Sequence, residues 1–246
     1  MNALQIFRAF GPIDTRLMRR DSMMVGMLAT PLVTGLSMRF IMPFLVGVIS
    51  RLVNFDLHPY YPVVLNYIVL MMMPCLAGCL VGMLLLDQRD DHTLTALQVT
   101  PISLEGYLAY RLALPTILAF LMTMAAVPLA GLVNISFGTL LAAALVSAPL
   151  APIFSLLFAA IAANKVQGLA VMKVLGAVTI LPAAAFFLPE SWQLLFGLIP
   201  TYWPAKVFTL LQSGQAGTGW YIFVGIIYQA LLIWFLARRF IHQMTH

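Results

Sequence analysis

Asp87, Arg89, Asp90, Asp91 and His92 fall within six consecutive positions of a chain otherwise almost free of charge. Carboxylates beside a histidine suggest acid–base or metal chemistry, but the surrounding motifs do not support it. The chain has no HExxH, no GxSxG and no GxxxxGK[ST]. Scattered Ser and Thr residues in the apolar stretches have no membrane-embedded His or Asp to activate them as nucleophiles. The cluster reads better as a surface device. Asp91 to Val99 suits a short helix, with Asp90 or Asp91 near its positive N-terminal end. Leu94 and Leu97, three apart, share a face. Thr100-Pro101 stops the helix, because the residue before proline avoids helical geometry, and Ser103 with Gly106 restarts the chain. A charged tip carrying two apolar teeth is a plug for a socket; the plainer alternative is a solvated loop.

The elements that hold this segment must live in lipid. The 246 residues are 62% hydrophobic and only 9% charged, with a mean hydropathy of +0.98. A soluble domain carries about 25% charged residues. The apolar runs are continuous, without the alternation of a β-barrel. The expected fold is therefore all-α: a polytopic membrane protein forming a single transmembrane domain over residues 1–246.

Six stretches are long enough to cross about 30 Å of hydrocarbon: residues 22–50, 62–86, 107–132, 138–163, 167–188 and 219–237. The third and fourth share Leu112 to Asn164, which has no Asp, Glu, Lys or Arg and must reverse near Asn134-Ile135-Ser136. The first stretch exceeds one upright crossing. It tilts, or it ends near Arg39 with Phe40 to Ser50 on the outer surface; Arg39 is expected in the outer leaflet. With both termini inside, ten Lys and Arg residues face the cytoplasm (Arg8, Arg16, Arg19, Arg20, Arg89, Arg111, Lys165, Lys173, Arg238, Arg239) and three lie outside (Arg39, Arg51, Lys206). That bias favours an inner or plasma membrane protein with cytoplasmic N- and C-termini. It also accounts for the net charge of +5 without nucleic acid.

Two segments flank the spans. Residues 1–21 mix Leu4, Ile6, Phe7, Phe10, Ile13, Leu17 and Met18 with four arginines, as in a helix lying in the inner interface and bending at Gly11-Pro12. Residues 189–218 hold two short apolar pieces, Trp192 to Ile199 and Ala205 to Leu211, between prolines and aromatics. They suit short outer helices serving as a lid or as packing. No cleavable signal peptide is evident.

All eight acidic residues lie in loops or at span ends, and the four histidines are outside the spans. This argues against a proton-driven pump, which needs a buried titratable group. Cys75 and Cys79 share one helix face and read as small core residues rather than a metal or redox pair. Prolines in or near the spans suit kinked helices that open and close, although membrane helices also simply tolerate proline. Met71-Met72-Met73 and Met83 suit either adaptable ligand contacts or core filling.

The segment after the second span resembles that of the permease subunit of ABC-2-type transporters, where a pattern such as E-x-E-x-G-T-L-x-x-L-x-x-T-P follows. Here Thr93-Leu94, Leu97 and Thr100-Pro101 match; Asp87 stands where Glu is usual and His92 where Gly is usual. The whole chain fits that layout. Phe10-Gly11-Pro12-Ile13-Asp14 and Arg19-Arg20-Asp21-Ser22 are most similar to permeases assigned to fluoroquinolone or multidrug export. The resemblance implies an exporter of amphipathic or hydrophobic compounds such as drugs or lipids. It implies that residues 87–105 couple to a separate ATPase subunit through Arg89, Asp90, Asp91, His92, Thr93, Leu94 and Leu97. It further implies a second permease chain, identical or related, with ATP and Mg on the partner ATPase and no cofactor or catalysis on this chain. A polytopic membrane enzyme acting on lipids and a non-transporting membrane scaffold are the rival readings.

Overall fold

Asp21 fixes where the bundle begins. Its backbone is extended and its carboxylate accepts from the Met23 and Met24 amides, satisfying donors that the first helical turn leaves open. This sets the boundary between α1 (Ala3–Arg20) and α2 (Ser22–Val53) in a computed structural model that describes residues 3–90, 104–215 and 217–245. Among the described residues every regular element is helical. Six of the helical segments are long and apolar enough to cross a membrane: Ser22–Leu52, His58–Gln88, Gly106–Ala130, Phe137–Ile161, Lys165–Phe187 and Thr218–Phe240. The chain is an all-α, multi-pass membrane protein.

The first span does not break at Arg39. It is one helix of 32 residues, continuous through Pro31 and Pro43, about 48 Å at ~1.5 Å per residue. It ends at Asn54, whose positive φ of 56° closes the last turn. The Arg39 guanidinium lies beside Gly131, in the turn between the third and fourth spans, so this charge belongs to the end of the bundle opposite Asp21. Likewise α1 runs unbroken through Gly11-Pro12, where a bend was expected.

The second span is composite. A 3₁₀ turn (His58–Tyr60), α3 (Tyr61–Val64) and a π-helical turn (Leu65–Leu70) lead into α4 (Met72–Asp90). The third span is α5 (Leu104–Ala130). Ser136 caps the fourth, α6 (Phe137–Ser147) followed by α7 (Leu150–Ile161), in the region where the sequence required a reversal. Asn164 caps α8 (Lys165–Ile180), which tightens into a 3₁₀ stretch (Leu181–Phe187) at Pro182. Between the last two spans lie α9 (Glu190–Gln193), a 3₁₀ turn (Leu194–Leu198) and α10 (Tyr202–Ser213), and α11 (Thr218–Thr245) completes the chain.

The second and fourth spans form the core, and the first, fifth and sixth are largely exposed around them. Small residues allow the close central contact. A side-chain carbon at Gly78 would lie 2.5 Å from the Ala151 carbonyl, and one at Gly82 would lie 2.6 Å from the Phe158 ring. Met71, Met73 and Met83 are buried in this core, as are the free thiols of Cys75 and Cys79, so the methionines fill space here. The outer segment divides in two. Its first half is exposed at Trp192, Leu194, Leu195 and Leu198. Its second half, α10, buries Tyr202, Ala205, Val207 and Phe208 against the sixth and fourth spans. It is a packed element of the bundle rather than an interfacial anchor.

Candidate functional site

The residues assigned to coupling fall at and beyond the end of α4. Arg89 and Asp90 are its last two residues. Asp91, His92, Thr93, Leu94 and Leu97 lie outside the described residues. The structure does describe both ends of this segment, and each is locked into the bundle.

The first lock starts from α1. Phe7, Phe10, Asp14 and Met18 recur every three or four positions and turn one face inward, while Arg8, Arg16, Arg19 and Arg20 stay exposed. Asp14 therefore enters an apolar layer, where an unpaired carboxylate is prohibitively costly. Arg111 of α5 meets it in a two-pronged pair: Nη1 donates to Oδ2 at 2.9 Å and Nη2 to Oδ1 at 3.2 Å. Both side chains are at most 2% exposed. The Tyr110 hydroxyl donates to the same carboxylate at 2.6 Å. Arg111 Nε donates to the Tyr107 hydroxyl at 3.2 Å, and that hydroxyl donates to Gln88 Oε1 at 2.6 Å. The guanidinium carbon sits 5.3 Å from the ring centres of both tyrosines, a favourable place for a cation. Phe10 packs on both rings, and Phe7 meets Tyr110 edge-on at 4.8 Å.

Spacing explains how one element supplies so much of this. Tyr107 and Arg111 are one turn apart, and Tyr110 lies three residues after Tyr107, so all three project from one side of α5. The bond from Tyr107 to Gln88 ties the end of α4 to the start of α5. The foot of the segment between α4 and α5 is therefore closed by a buried hydrogen bond and fixed to α1 through Arg111 and Asp14.

The second lock is nearer the surface. Lys165, the first residue of α8, donates to Asp21 Oδ2 at 2.9 Å and approaches Asp87 Oδ1 at 3.0 Å. Its side chain is 42% exposed, so these contacts are screened and individually weak. The Lys165 hydrogen bond and the Met23 and Met24 amides hold the Asp21 carboxyl below its ordinary pKa, with burial opposing them. Together the two locks join α1, α2, α4, α5 and α8 at the end of the bundle that carries the coupling segment.

Sequence reasoning placed Asp14 and Arg111 among charges at the span ends and did not pair them. The available signal was one acid on the apolar stripe of α1 and one arginine entering an otherwise uncharged span. Neither Gln88 nor the two tyrosines carried a signal of its own. Lys173, counted among the cytoplasmic charges, sits two turns into the fifth span and is exposed on its surface.

At the opposite end, a half-enclosed cavity of about 200 Å³ lies between the start of the second span, the end of the fifth, and the outer segment. Asn66 and Tyr67 enter its wall from the π-helical turn, and Lys206 and Thr209 from α10.

Six apolar helices long enough to cross a membrane, the second and fourth forming the core, with an amphipathic N-terminal helix tied to them by a buried ion pair, define an all-α multi-pass membrane protein. The chain belongs to the Rv2686c-like family, described as fluoroquinolones export permease proteins, whose family model matches residues 14–237. Two Mycobacterium tuberculosis proteins named as fluoroquinolones export permeases, MT2760 of strain CDC 1551 / Oshkosh and Rv2686c of strain ATCC 25618 / H37Rv, are each 34% identical to it. Each match runs over 235 residues, 94% of this chain and 92% of the relative. No solved structure matches. The resemblance to export permeases drawn from the sequence is borne out at the level of the family.

Proposed function

We propose that this chain is the permease subunit of an ATP-driven ABC exporter, and that residues 87–105 dock on a separate ATPase subunit. The observation that carries the proposal is the closed base of that segment. A docking element transmits force only if its root cannot slide, and Gln88, Tyr107, Arg111 and Asp14 fix the root on both sides. A solvated loop has no need of a buried ion pair at its foot.

In this reading Leu94 and Leu97 enter a groove of the ATPase, while Arg89, Asp90, Asp91, His92 and Thr93 frame the contact. Full burial of a leucine is worth roughly 1.5–3 kcal/mol, and a rim charge typically less than about 1 kcal/mol. The leucines therefore supply affinity and the charges orientation. ATP and Mg belong to the ATPase, and this chain performs no catalysis. A second permease chain, identical or related, completes the pathway. The names of the mycobacterial relatives support an amphipathic, drug-like cargo.

Replacing Leu94 and Leu97 together by Asp is expected to leave insertion intact while abolishing capture of the ATPase and transport. Charge reversal at Arg89 is expected to do less and to depend on salt. Pull-down and transport by the double variant at parental levels would refute the coupling role.

The ten-to-three bias of Lys and Arg supports cytoplasmic termini. Single cysteines at positions 56 and 190 are expected to react with an impermeant thiol reagent applied to sealed cells, and those at 90 and 165 to stay unlabelled. Labelling at 90 would invert the topology and remove the docking surface from the ATPase.

A further inference from the structure

The cavity at the end of the bundle opposite Asp21 holds two features that the coupling reading does not use. Lys206 lines it with its side chain only 14% exposed. Its ammonium donates to the neutral Gln193 Oε1 at 2.8 Å, lies 5.7 Å from the Tyr221 ring centre, and has Glu190 at 3.7 Å. Glu190 is 80% exposed and beyond hydrogen-bond distance, so water screens it and the cation is only loosely neutralised.

The second feature is Asn66. It is buried in the π-helical turn, a kind of irregularity frequent at functional sites. Its Nδ2 donates to the Ala205 carbonyl at 2.8 Å and to Thr209 Oγ1 at 3.3 Å. A carbonyl accepts only, which fixes the amide's orientation and leaves Oδ1 as an acceptor without a partner. Pro62, Val63, Ala185 and Phe186 supply an apolar wall. One loosely neutralised cation beside an apolar wall forms a recognisable combination in so small a space.

We propose that this cavity is a subsite for the anionic head of an amphipathic compound, a carboxylate or similar oxyanion joined to an apolar ring or chain. Lys206 anchors the oxyanion, and Phe186 and its neighbours cover the adjoining apolar group. A cavity of about 200 Å³ takes a head group and one ring, leaving the rest of a drug-sized molecule outside it. The oxyanion can come from exported cargo or from an anionic lipid. The assignment of cargo to this subsite rests on the export reading.

The test is equilibrium binding to the purified full chain in nanodiscs, with norfloxacin, which carries a carboxylate, and its methyl ester as probes. In phosphatidylcholine the acid is expected to bind about tenfold more tightly than the ester, a preference of the size one well-placed charge contact supplies. Raising salt should erode binding of the acid and not that of the ester. Lys206→Met should abolish the preference, and Lys206→Arg should keep most of it.

Loss of the acid's advantage in phosphatidylglycerol nanodiscs would support the oxyanion site with lipid as its occupant. Equal binding of acid and ester by the parent chain, or a preference that survives Lys206→Met, would overturn the proposal. The salt response of the parent chain decides the matter even if a variant fails to fold. Because the assay needs no ATPase, the subsite can fail while ATP-driven export stands, and export can fail while the subsite stands.

Discussion

Arg111 is buried and Lys206 half-buried, and the two cations are held in opposite ways. Arg111 is saturated by both carboxylate oxygens of Asp14, the Tyr107 hydroxyl, and the faces of two tyrosine rings. Lys206 has a neutral amide at 2.8 Å, the Tyr221 ring at 5.7 Å and a solvent-exposed carboxylate at 3.7 Å, and it borders a half-enclosed cavity. A guanidinium presents a rigid planar fork that a carboxylate can fill completely, whereas an ammonium is a point charge on a flexible stem. The saturated cation has no capacity for a ligand and works as a rivet at the foot of the segment between α4 and α5. The unsaturated one keeps capacity in reserve at the other end of the bundle.

The contrast breaks first on stability. Removing one partner of the buried pair, by Arg111→Met or Asp14→Leu alone, strands a charge and is expected to cost about 3–5 kcal/mol. The double variant should recover most of that loss, whereas Lys206→Met should fall within about 0.5 kcal/mol of the parent. Thermal unfolding of purified protein in detergent reads all four; a large loss for Lys206→Met would make both cations structural.

A smaller effect is expected from Tyr107→Phe, which deletes the hydroxyl between Gln88 and Arg111. The cost should be about 1–3 kcal/mol for the groups left unpaired. Transport should fall further than stability if the base of the segment transmits force. Equal falls would reduce the lock to ordinary packing.

The smallest effects belong to the exposed lock. Lys165→Ala is expected to cost no more than about 1 kcal/mol, shrinking as salt is raised. The folded Asp21 carboxyl titrates below its ordinary value of 3.8. Its stabilising contribution is therefore complete above that pH and lost as pH falls through the lower folded value. Unfolding midpoints of the parent and of Asp21→Asn should keep a constant separation between about pH 6 and 8, and converge only in strong acid.

How far the chain could be read beforehand follows the same physics. The six spans were legible because apolar length is a local property, and lipid enforces it wherever twenty such residues run together. The turn at Ser136 was legible for a related reason: its hydroxyl acts on an amide three residues away. Of the two alternatives for the first stretch, a helix ending near Arg39 did not appear, and α1 is helical through Gly11-Pro12. A helix interior tolerates an arginine that can reach a polar turn such as that at Gly131, and a proline whose lost hydrogen bond the surrounding helix can absorb.

The partners of Asp14 were not legible. Arg111 lies 97 positions away, and nothing in either local sequence names the other. The π-helical turn that directs Asn66 toward Ala205, 139 positions distant, was equally hidden. By itself the sequence determined an all-α membrane chain, its six crossings, its charge bias, and a patterned segment after the second span. Only the tertiary structure decided which charges are rivets and which remain available, because pairing depends on which helix faces meet, and helix faces meet through packing between residues far apart in the chain.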